Sequence, residues 1–377
     1  MSDKKLKIAY LCEFSHPSIC GVWNRVYHTA KEMVKRGHEV YVFSSNIIKS
    51  TEKTSQSYEL LEGIYIHRFP VKLSFGENAL FWKFKEDLIQ LKPDVIDAQV
   101  HRHPHSTFAP KIARKVGAKS VLTTHAPFVE RELRGKLLNL AVNSYDFIFG
   151  KKVLRSYDKV IAITKWEIPY LKASGCNMSK VSIIPNGIDS RFLKIKYTGN
   201  KNHILFFGRI APIKDLETLI RAFSKLDSKT KLFLAGPWEN DYKTKLDTLI
   251  SQSGVKNRVI FTGPIYNFEK KKKLFSECGI FVLPSKREGL PQSLLEAMAA
   301  GKIVISSSNK GGKELIKDEN NGFIFEIGNV EDLTTELSDS IKNFTKLGKV
   351  RKAAKKTASE MTWGKIGFKL QNVYISS

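Results

Sequence analysis

Hydrophobic residues in this chain form short apolar runs that alternate with amphipathic stretches of helical spacing. KIAYLCEF and HEVYVFSS are runs of the kind that form buried strands, and between them a helical pattern extends from about Asn24 to Arg36 and ends at Gly37. A strand, a loop, a helix and a second strand in this order open a doubly wound α/β domain. The pattern therefore predicts a parallel sheet covered by helices in the first half of the chain.

The same order begins again in the second half. HILFFGRI predicts a strand that ends at Gly208 and Arg209, and KDLETLIRAFSKL predicts an amphipathic helix soon after it. Two further strands are predicted from KLFLAGPW and VIFTGPIY. We therefore expect two Rossmann-like domains, at residues 1–190 and 200–360, joined by the charged stretch 190–201.

Three other stretches give less specific predictions. Residues 46–62 are polar and predict a mobile loop, whereas residues 78–91 have helical spacing. PDVIDAQVHRHPHS predicts a strand that runs into a loop, in which His101, His103 and His105 would lie on one face of an extended backbone. Zinc requires three or four convergent ligands, and no acidic or cysteine ligand stands beside these histidines, so we do not expect them to hold a metal.

The stretch FVLPSKREGLPQSLLEAMAAGKIVISS carries the most specific chemical pattern. FVLPS predicts a buried strand, a loop with Glu288 and Gly289 follows it, and a helix begins near Pro291, a residue that is tolerated at a first helical position. Backbone N–H groups and the helix dipole at such a helix start favour a phosphate group. Glu296 lies within the helix, where its spacing from the apolar residues turns its side chain toward the loop.

Two cations lie at another strand–helix turn of the same half. Arg209 and Lys214 follow the first strand of that half and precede its first helix. Cations beside a helix start suit a diphosphate, because they offset the negative charge that develops when the bond to a leaving diphosphate breaks. Cations exposed on the surface without a ligand are the alternative.

The sequence EGLPQSLLEAMAAG resembles the donor site of the family 4 glycosyltransferases of GT-B fold, which is marked by two glutamates eight positions apart. The resemblance implies that Glu296 accepts hydrogen bonds from the ribose hydroxyls of a nucleoside-diphosphate sugar and that Glu288 contacts hydroxyls of the sugar. It also implies backbone contacts to the diphosphate or the sugar from Gly289, Leu290, Gln292 and Ser293. Arg209 and Lys214, with Gly208 before them, match the family's residues that hold the donor diphosphate.

The match is looser at two glycine positions. Family members have paired glycines in the first loop, and this chain has Cys20-Gly21 there, so only Gly21 is expected to approach the donor phosphates. Family members also often have Lys-Gly where this chain has Lys214-Asp215. We interpret Asp215 as a helix-capping variation.

Two side chains complete the predicted site. The resemblance implies that Ile265 borders the nucleobase and that His125 faces the sugar and the acceptor. It also implies that His101, His103 and His105 line the ligand cleft, with His105 the weaker match. His125 ends the strand VLTTHAPF, at the edge where open α/β sheets bind ligands; a core or capping histidine is the alternative. The resemblance further implies a retaining enzyme that needs no metal and no cofactor other than its donor, a UDP- or GDP-sugar.

The resemblance also implies the architecture. Two Rossmann-like α/β domains would face each other across a cleft, the first holding the acceptor and the second holding the nucleotide sugar. A C-terminal helix, residues 361–377, would cross back and pack on the N-terminal domain.

Charge extends the prediction beyond the donor. The chain has 62 lysines and arginines against 37 aspartates and glutamates, a formal net charge of +25. This excess favours an anionic partner such as lipid headgroups, a phosphorylated carrier or nucleic acid; a solvated lysine-rich surface is the alternative. Residues 131–153 form a basic amphipathic pattern that suits either an anionic membrane surface or packing within the first domain.

The composition of the chain indicates the cellular compartment in which we expect the protein. With 377 residues, of which 42% are hydrophobic, the chain can bury two cores. It has no apolar run of about 18 residues, and MSDKKLKIAYLCEF lacks the pattern of a signal peptide. Its four scattered cysteines lack the spacing of a metal site and predict reduced thiols. We therefore expect a cytoplasmic protein that can associate with the inner face of the cell membrane.

Together these patterns predict a glycosyltransferase that moves a sugar to an acceptor hydroxyl. A lipid or lipid-linked glycan of the cell envelope is the favoured acceptor, and a soluble small molecule or a polysaccharide is the alternative. A sugar-nucleotide epimerase of GT-B fold would need acid–base residues that the sequence does not identify. A transferase that modifies nucleic acid would need a recognition motif, and none is evident, so nucleic acid is not expected as a partner.

Overall fold

The computed structural model describes residues 5–74, 80–127, 140 and 144–376 of the chain. The chain forms two compact units: the first runs up to Gly187 and resumes at Trp363, and the second covers Ile188–Thr362. Each unit contains a parallel sheet with helices packed against it. The predicted α/β class with two Rossmann-like units is confirmed.

The first sheet is built around its first strand. The strands of this unit are β1 (Lys7–Leu11), β2 (Glu39–Ser45), β3 (Tyr58–Leu61), β4 (Ile64–Phe69), β5 (Val71–Ser74), β6 (Leu80–Trp82), β7 (Val95–Gln99), β8 (Lys119–Thr123), β9 (Lys159–Ala162) and β10 (Val181–Ile183). Among the described residues the main sheet has the order β10-β9-β8-β7-β1-β2-β4-β3, and its neighbours are parallel except β3 and β4. The direction of strand addition reverses between β1 and β7, and such a switch point is where open α/β sheets bind ligands.

Both faces of this sheet are buried, which is why its central strands are nearly continuous apolar runs. Ala9 and Leu11 of β1 belong to one hydrophobic cluster, and Ile8 and Tyr10 belong to another. The helices of this part of the chain are α1 (Gly21–Lys35), α2 (Lys85–Leu91), α3 (Pro104–Val116), α4 (Lys151–Ser156) and α5 (Ile168–Ala173).

The second sheet has the strand order of a dinucleotide-binding fold. Its strands are β11 (Asn200–Phe207), β12 (Lys231–Ala235), β13 (Val259–Gly263), β14 (Cys278–Leu283), β15 (Ile303–Ser307) and β16 (Phe323–Phe325). They are parallel in the order β13-β12-β11-β14-β15-β16, so the switch point lies between β11 and β14. The helices of this unit are α6 (Leu216–Ser224), α7 (Asn240–Gln252), α8 (Phe268–Glu277), α9 (Gln292–Ala299), α10 (Lys310–Leu315), α11 (Val330–Lys342) and α12 (Gly348–Ser359).

The last helix, α13 (Trp363–Ile375), belongs to the first unit. Its apolar residues share a hydrophobic cluster with α1, and the Trp363 ring stacks on His28 with centroids 4.9 Å apart. A Cβ at Gly367 would lie 2.7 Å from the Cβ of Glu32, so only glycine lets the two helices come this close. The predicted C-terminal helix that returns to the first unit is confirmed.

Several local predictions differ from the structure. Residues 46–62 include the strand β3, because its pairing with β4 outweighs the polar composition of the stretch. Residues 80–91 form β6 and then α2, rather than one helix. The stretch 190–201 starts with a 3-10 turn in which Phe192 is buried and packs 5.5 Å from the Phe275 ring, so part of it belongs to the core of the second unit.

Candidate active site

The switch point of the second sheet brings two loops together. Residues 208–215 follow β11 and residues 284–291 follow β14, and these strands are neighbours. The backbone N–H of Lys286 donates to the carbonyl oxygen of Ile213 at 2.9 Å, which ties the loops to each other. Ligands of open α/β sheets bind outside the carboxyl ends of the strands at such a position.

An ion pair joins the two loops. The ammonium of Lys214 lies 2.5 Å from Oε1 of Glu288, and the Ser285 hydroxyl donates to the same oxygen at 2.7 Å. The Lys214 and Glu288 side chains are 18% and 13% exposed, so water screens the pair only in part. The structure thus brings together two of the predicted catalytic residues, a cation that can contact a phosphate and a carboxylate that can accept hydrogen bonds.

A second ion pair lies at the other predicted glutamate. Glu296 on α9 is buried, and its Oε2 lies 2.6 Å from the ammonium of Lys271 on α8. Burial raises the pKa of Glu296, and the charge of Lys271 opposes that rise. Lys271 points inward, whereas its neighbours Lys270, Lys272 and Lys273 are exposed.

Arg209 has a more exposed partner. Its Nη1 lies 3.1 Å from Oε1 of Glu239, in the loop after β12, and 63% of the Arg209 side chain is exposed. Surface pairs of this kind contribute only about 0–1 kcal/mol. Arg209 can therefore exchange Glu239 for another anion at little cost, whereas Lys214 on the same loop already contacts a carboxylate of the neighbouring loop.

Asp215 stands at the N-cap position of α6, but its side chain does not cap the helix, so the interpretation of Asp215 as a helix-capping variation is wrong. Asp215 precedes α6 with φ +49°, in the left-handed region, and its carboxylate makes no hydrogen bond to the helix N–H groups. It accepts a hydrogen bond from the Thr218 hydroxyl at 2.9 Å instead. Glycine suits a left-handed residue because it has no Cβ, and aspartate tolerates it better than most residues do. What this position requires is therefore a residue that tolerates the left-handed backbone conformation, rather than a side chain that caps the helix.

Close backbone contact explains a glycine that the sequence analysis overlooked. Gly236 follows β12 with φ +142°, and a Cβ there would lie 2.0 Å from the carbonyl oxygen of Gly208. Its N–H donates to the carbonyl oxygen of Gly263 at 3.0 Å. Gly208, Gly236 and Gly263 therefore lie together at the carboxyl ends of β11, β12 and β13, where Gly236 is buried and Gly208 and Gly263 are partly exposed.

A similar contact positions Glu288. A Cβ at Gly311 would lie 2.7 Å from the Glu288 Cβ and 2.8 Å from the carbonyl oxygen of Gly289. Gly311 and Gly312 lie within α10 rather than in a turn. They are required because the helix packs directly against the loop that carries Glu288 and Gly289 and against β15.

The other predicted donor-site residues lie along the same edge. Gly289 is partly exposed, Leu290 is buried, and Gln292 and Ser293 are partly exposed in the first turn of α9. Ile265 follows β13, is partly exposed and precedes Tyr266, of which 68% is exposed. Their individual roles stay predictions.

In the first unit, His125 follows β8 at the carboxyl edge of the sheet. His125 and Ala126 both have left-handed φ values, +59° and +53°. The buried carboxylate of Glu167 holds this turn by accepting hydrogen bonds from the Ala126 N–H at 3.0 Å and from the Thr124 hydroxyl. Two strained residues in succession need such support, and they present His125 at the edge where a ligand would bind.

The His125 ring is neutral at physiological pH. Its pKa is well below the ordinary value, first because of burial and then because of electrostatic interaction with Arg25 and His103. Its Nε2 lies 2.8 Å from Oε1 of Gln99, at the carboxyl end of β7. A neutral imidazole has one donor and one acceptor nitrogen, so its partners decide which nitrogen faces a ligand.

The neighbouring histidines are arranged differently from the prediction. Val100 and Arg102 have φ values of +69° and +75°, so the backbone turns, and α3 begins directly after His103. His101 and His105 are 1% and 0% exposed, so the prediction that they line a cleft is wrong for these two. Burial lowers the pKa of each to about 3. The extended backbone that would have put all three on one face does not form.

His103 contacts a carboxylate that the sequence analysis missed. Its Nδ1 lies 2.6 Å from Oε1 of the buried Glu13, at the switch point between β1 and β7. Glu13 lies near the carboxyl end of the predicted strand KIAYLCEF, two residues beyond the observed end of β1, and a carboxylate at that position was the available signal. Nearby, Gly21 begins α1, and a Cβ there would meet no atom within 4 Å, which leaves its backbone open to solvent.

Among the residues that the structure describes, no group of three or more histidine, cysteine, aspartate or glutamate residues is arranged to hold a metal ion. No helix in residues 5–74, 80–127 and 144–376 is long and apolar enough to cross a membrane. The basic pattern at residues 131–153 falls mostly outside the described residues.

Comparison with known sequences finds glycosyltransferases over most of the chain. An uncharacterized glycosyltransferase of Methanocaldococcus jannaschii is 26% identical over 366 residues, which cover 90% of each chain. The N,N'-diacetylbacillosaminyl-diphospho-undecaprenol alpha-1,3-N-acetylgalactosaminyltransferase of Campylobacter jejuni is 23% identical over 342 residues, which cover 83% of this chain and 85% of that protein.

Solved structures share the fold. HepE of Anabaena, solved in complex with UDP and glucose, matches with a TM-score of 0.78 at 20% identity over 99% of this chain and 100% of its own. WaaG, a glycosyltransferase involved in lipopolysaccharide biosynthesis, matches with a TM-score of 0.70 at 18% identity over 98% and 100% of the two chains. The predicted GT-B fold is confirmed.

Two family models cover the two halves of the chain. The model described as Glycosyltransferase Family 4 matches residues 19–192, and the model described as Glycosyl transferases group 1 matches residues 190–360. The two matches together extend over the second sheet, over the first sheet except β1, and over the paired glutamates. This chain belongs to the family 4 glycosyltransferases.

Proposed function

We propose that this glycosyltransferase uses a nucleoside-diphosphate sugar, retains the anomeric configuration and needs no metal. The ion pair between Lys214 and Glu288 at the switch point supports the proposal most directly. The ammonium attracts a diphosphate, and the carboxylate accepts hydrogen bonds from sugar hydroxyls. One preformed ion pair can therefore contact both the diphosphate and the sugar, the two parts of the donor between which the bond breaks.

The proposed donor contacts follow from the same edge of the sheet. Glu296 accepts hydrogen bonds from the ribose hydroxyls, and Lys271 helps to keep its buried carboxylate ionised. Arg209 leaves Glu239 to contact the diphosphate. Ile265 borders the base. The glycine-lined strand ends and the first turn of α9 supply backbone N–H groups to the phosphates.

The proposed chemistry relies on electrostatic stabilisation of the leaving group. As the glycosidic bond breaks, the sugar gains positive charge and the diphosphate gains negative charge, which Arg209 and Lys214 offset. We nominate no protein nucleophile. In the proposed front-face route the leaving phosphate helps to deprotonate the acceptor hydroxyl, and His125 contacts the sugar or the acceptor.

The proposed acceptor is a lipid or lipid-linked glycan of the cell envelope. The Campylobacter jejuni relative is named for an undecaprenol-diphosphate-linked acceptor, and WaaG is named for lipopolysaccharide biosynthesis. The net charge of +25 favours an anionic surface or a phosphorylated carrier. Sedimentation with neutral and anionic vesicles tests the surface: equal, negligible binding to both would count against it, and the soluble acceptors would then be favoured.

The donor is tested with a panel of UDP-, GDP- and ADP-sugars, first for slow hydrolysis and then for transfer. Because HepE was solved with UDP, we expect turnover of a UDP-sugar first, with GDP-sugars second. Glu288→Gln should lower turnover by about 100-fold or more without unfolding the protein. Glu269→Gln, an exposed glutamate on α8, is the matched control. Equal rates in the two variants would refute the assignment of Glu288.

Product analysis separates transfer from the alternatives. Conversion of the donor sugar to its epimer without an acceptor would indicate an epimerase. Salt-dependent binding to DNA or RNA would indicate a nucleic-acid substrate. Retention is read directly from the anomeric configuration of the product by NMR, and an inverted product would refute that part of the proposal.

A further inference from the structure

A chain of buried polar groups runs through the first unit to His125. Asp97 on β7 is 1% exposed, and its Oδ1 accepts hydrogen bonds from Gln99 Nε2 at 2.7 Å and from the Thr123 hydroxyl at 3.0 Å. Its Oδ2 accepts a hydrogen bond from the Tyr374 hydroxyl of α13 at 2.6 Å. The carboxylate therefore has partners on both oxygens, one of them from the C-terminal helix.

These contacts fix the orientation of the Gln99 amide. An ionised carboxylate can only accept hydrogen bonds, so the side of the amide that faces Asp97 must be its NH₂ group. The amide oxygen, Oε1, then faces His125 and lies 2.8 Å from its Nε2. An amide oxygen can only accept as well, so His125 Nε2 must carry the proton, and the lone pair is on Nδ1.

We propose that Asp97, Gln99 and Tyr374 are positioning residues that hold His125 as the Nε2–H tautomer, so that Nδ1 accepts a hydrogen bond from a sugar or acceptor hydroxyl. The inference rests on the proposed function, in which His125 contacts one of those groups. It gives α13 a role beyond packing, because this helix supplies the Tyr374 hydroxyl. It also makes His125 an acceptor of hydrogen bonds rather than a cation.

The charged and titratable surroundings agree with this arrangement. The buried Arg25 of α1 is the cation that faces Asp97, and Tyr10 of β1 faces it together with Tyr374. Burial raises the pKa of Asp97 to about 6, and the hydrogen bond from Tyr374 opposes that rise. Asp97 is therefore ionised near pH 7, and its orienting effect is lost as the pH falls through about 6.

The tautomer can be measured without any substrate. Two-bond ¹H–¹⁵N correlation spectra of histidine-labelled protein distinguish a protonated ring nitrogen from one with a lone pair, and the His125→Gln spectrum identifies the His125 signals. In the wild type we expect the proton on Nε2. In Asp97→Asn the introduced amide can present either its oxygen or its NH₂ group to Gln99, so the Gln99 amide is no longer held in one orientation. We therefore expect the Nδ1–H tautomer of His125 to appear. A wild-type proton on Nδ1, or an unchanged spectrum in Asp97→Asn, would overturn the proposal.

Two milder variants test the proposal even if Asp97→Asn does not fold. Tyr374→Phe and Gln99→Met should lower kcat by about tenfold or more, as loss of a supporting hydrogen bond typically does, with a smaller effect on the donor KM. Tyr58→Phe and Gln90→Met, on exposed residues of the same unit, are the controls. In Tyr374→Phe the loss of kcat on acidification should also begin at a higher pH, because the hydrogen bond that lowers the pKa of Asp97 is gone.

The outcomes separate this inference from the proposed function. If kcat and its pH profile in Tyr374→Phe match those of Tyr58→Phe, the positioning role is refuted even if the enzyme turns over its donor. If the wild type turns over no donor but the spectra show the expected tautomers, the positioning of His125 by Asp97, Gln99 and Tyr374 is supported and the proposed function fails.

Discussion

The ion pair between Lys271 and Glu296 gives a prediction with two readouts, stability and donor binding. The two charged atoms lie 2.6 Å apart, and the side chains are 18% and 11% exposed. At an effective dielectric constant of about 20 their attraction is roughly 6 kcal/mol, most of which offsets the desolvation of the two groups. Loss of one partner costs about 3–5 kcal/mol for a fully buried pair and about 0–1 kcal/mol at the surface. We therefore expect Lys271→Met to destabilise the protein by about 2 kcal/mol.

In Lys271→Met the stability and the donor affinity should change in opposite directions as the pH rises. Without Lys271 the pKa of Glu296 rises further, because only burial and the negative Asp189 then act on it. An acid whose pKa is raised by folding contributes stability that is present at low pH and lost as the pH rises. The destabilisation by Lys271→Met should therefore be larger at pH 8 than at pH 5.5. Donor binding should instead improve toward pH 8, because an ionised carboxylate can accept both ribose hydroxyls.

The assays are urea unfolding and the donor KM at both pH values. At pH 7 we expect the KM of Lys271→Met to rise by about tenfold, which corresponds to about 1.4 kcal/mol. Lys272→Met is the matched control, since Lys272 is on the same helix, is 51% exposed and pairs with the exposed Glu269. If the two variants agree in stability and in KM, the reasoning about the Glu296 site is refuted.

Three further predictions test the loops and the chemistry. Lys214→Ala should lower kcat by about 100-fold at unchanged fold, and a wild-type rate measured at saturating donor would contradict its contact with the diphosphate. Gly311→Ala should destabilise the protein by about 1–3 kcal/mol and lower kcat/KM, because the new Cβ pushes against Glu288 and Gly289, whereas Gly348→Ala, with open space around it, should do neither. Treatment with EDTA should leave turnover unchanged; loss of activity that added Mg²⁺ or Mn²⁺ restores would refute metal independence.

The parts of the fold that were predictable from sequence are those that depend on local pattern. Parallel strands buried on both faces are nearly continuous apolar runs, so β1, β2, β11 and β14 could be assigned directly. The short stretch after β14 combines a strand end, a glycine and a helix start, and it carries both glutamates of the candidate donor site. Those features need no knowledge of distant contacts.

The features that were missed depend on contacts between distant parts of the chain. Nothing local distinguishes Lys271 from its lysine neighbours, since only the position of α8 against Glu296 turns it inward. Gly236 is required because of the nearby carbonyl oxygen of Gly208, a contact between separate loops. The left-handed residues beside His101 remove the extended backbone that the alternating histidines suggested.

Asp97 and Gln99 show where the sequence held a signal that was not used. They lie two positions apart in a strand that is buried throughout, so their side chains share one face of the sheet. Polar residues paired in this way within a buried strand require hydrogen-bonding partners, and such networks are costly when unsatisfied. The pattern could have predicted a buried polar network beside the candidate site, although not its connection to Tyr374.

A crystal structure of the protein soaked with UDP or a UDP-sugar tests the central claim most directly. We predict that the diphosphate lies at the switch point of the second sheet, within hydrogen-bond reach of Arg209 and Lys214, with the ribose hydroxyls on Glu296. A nucleotide bound in the crystal away from Arg209 and Glu296 would contradict the account.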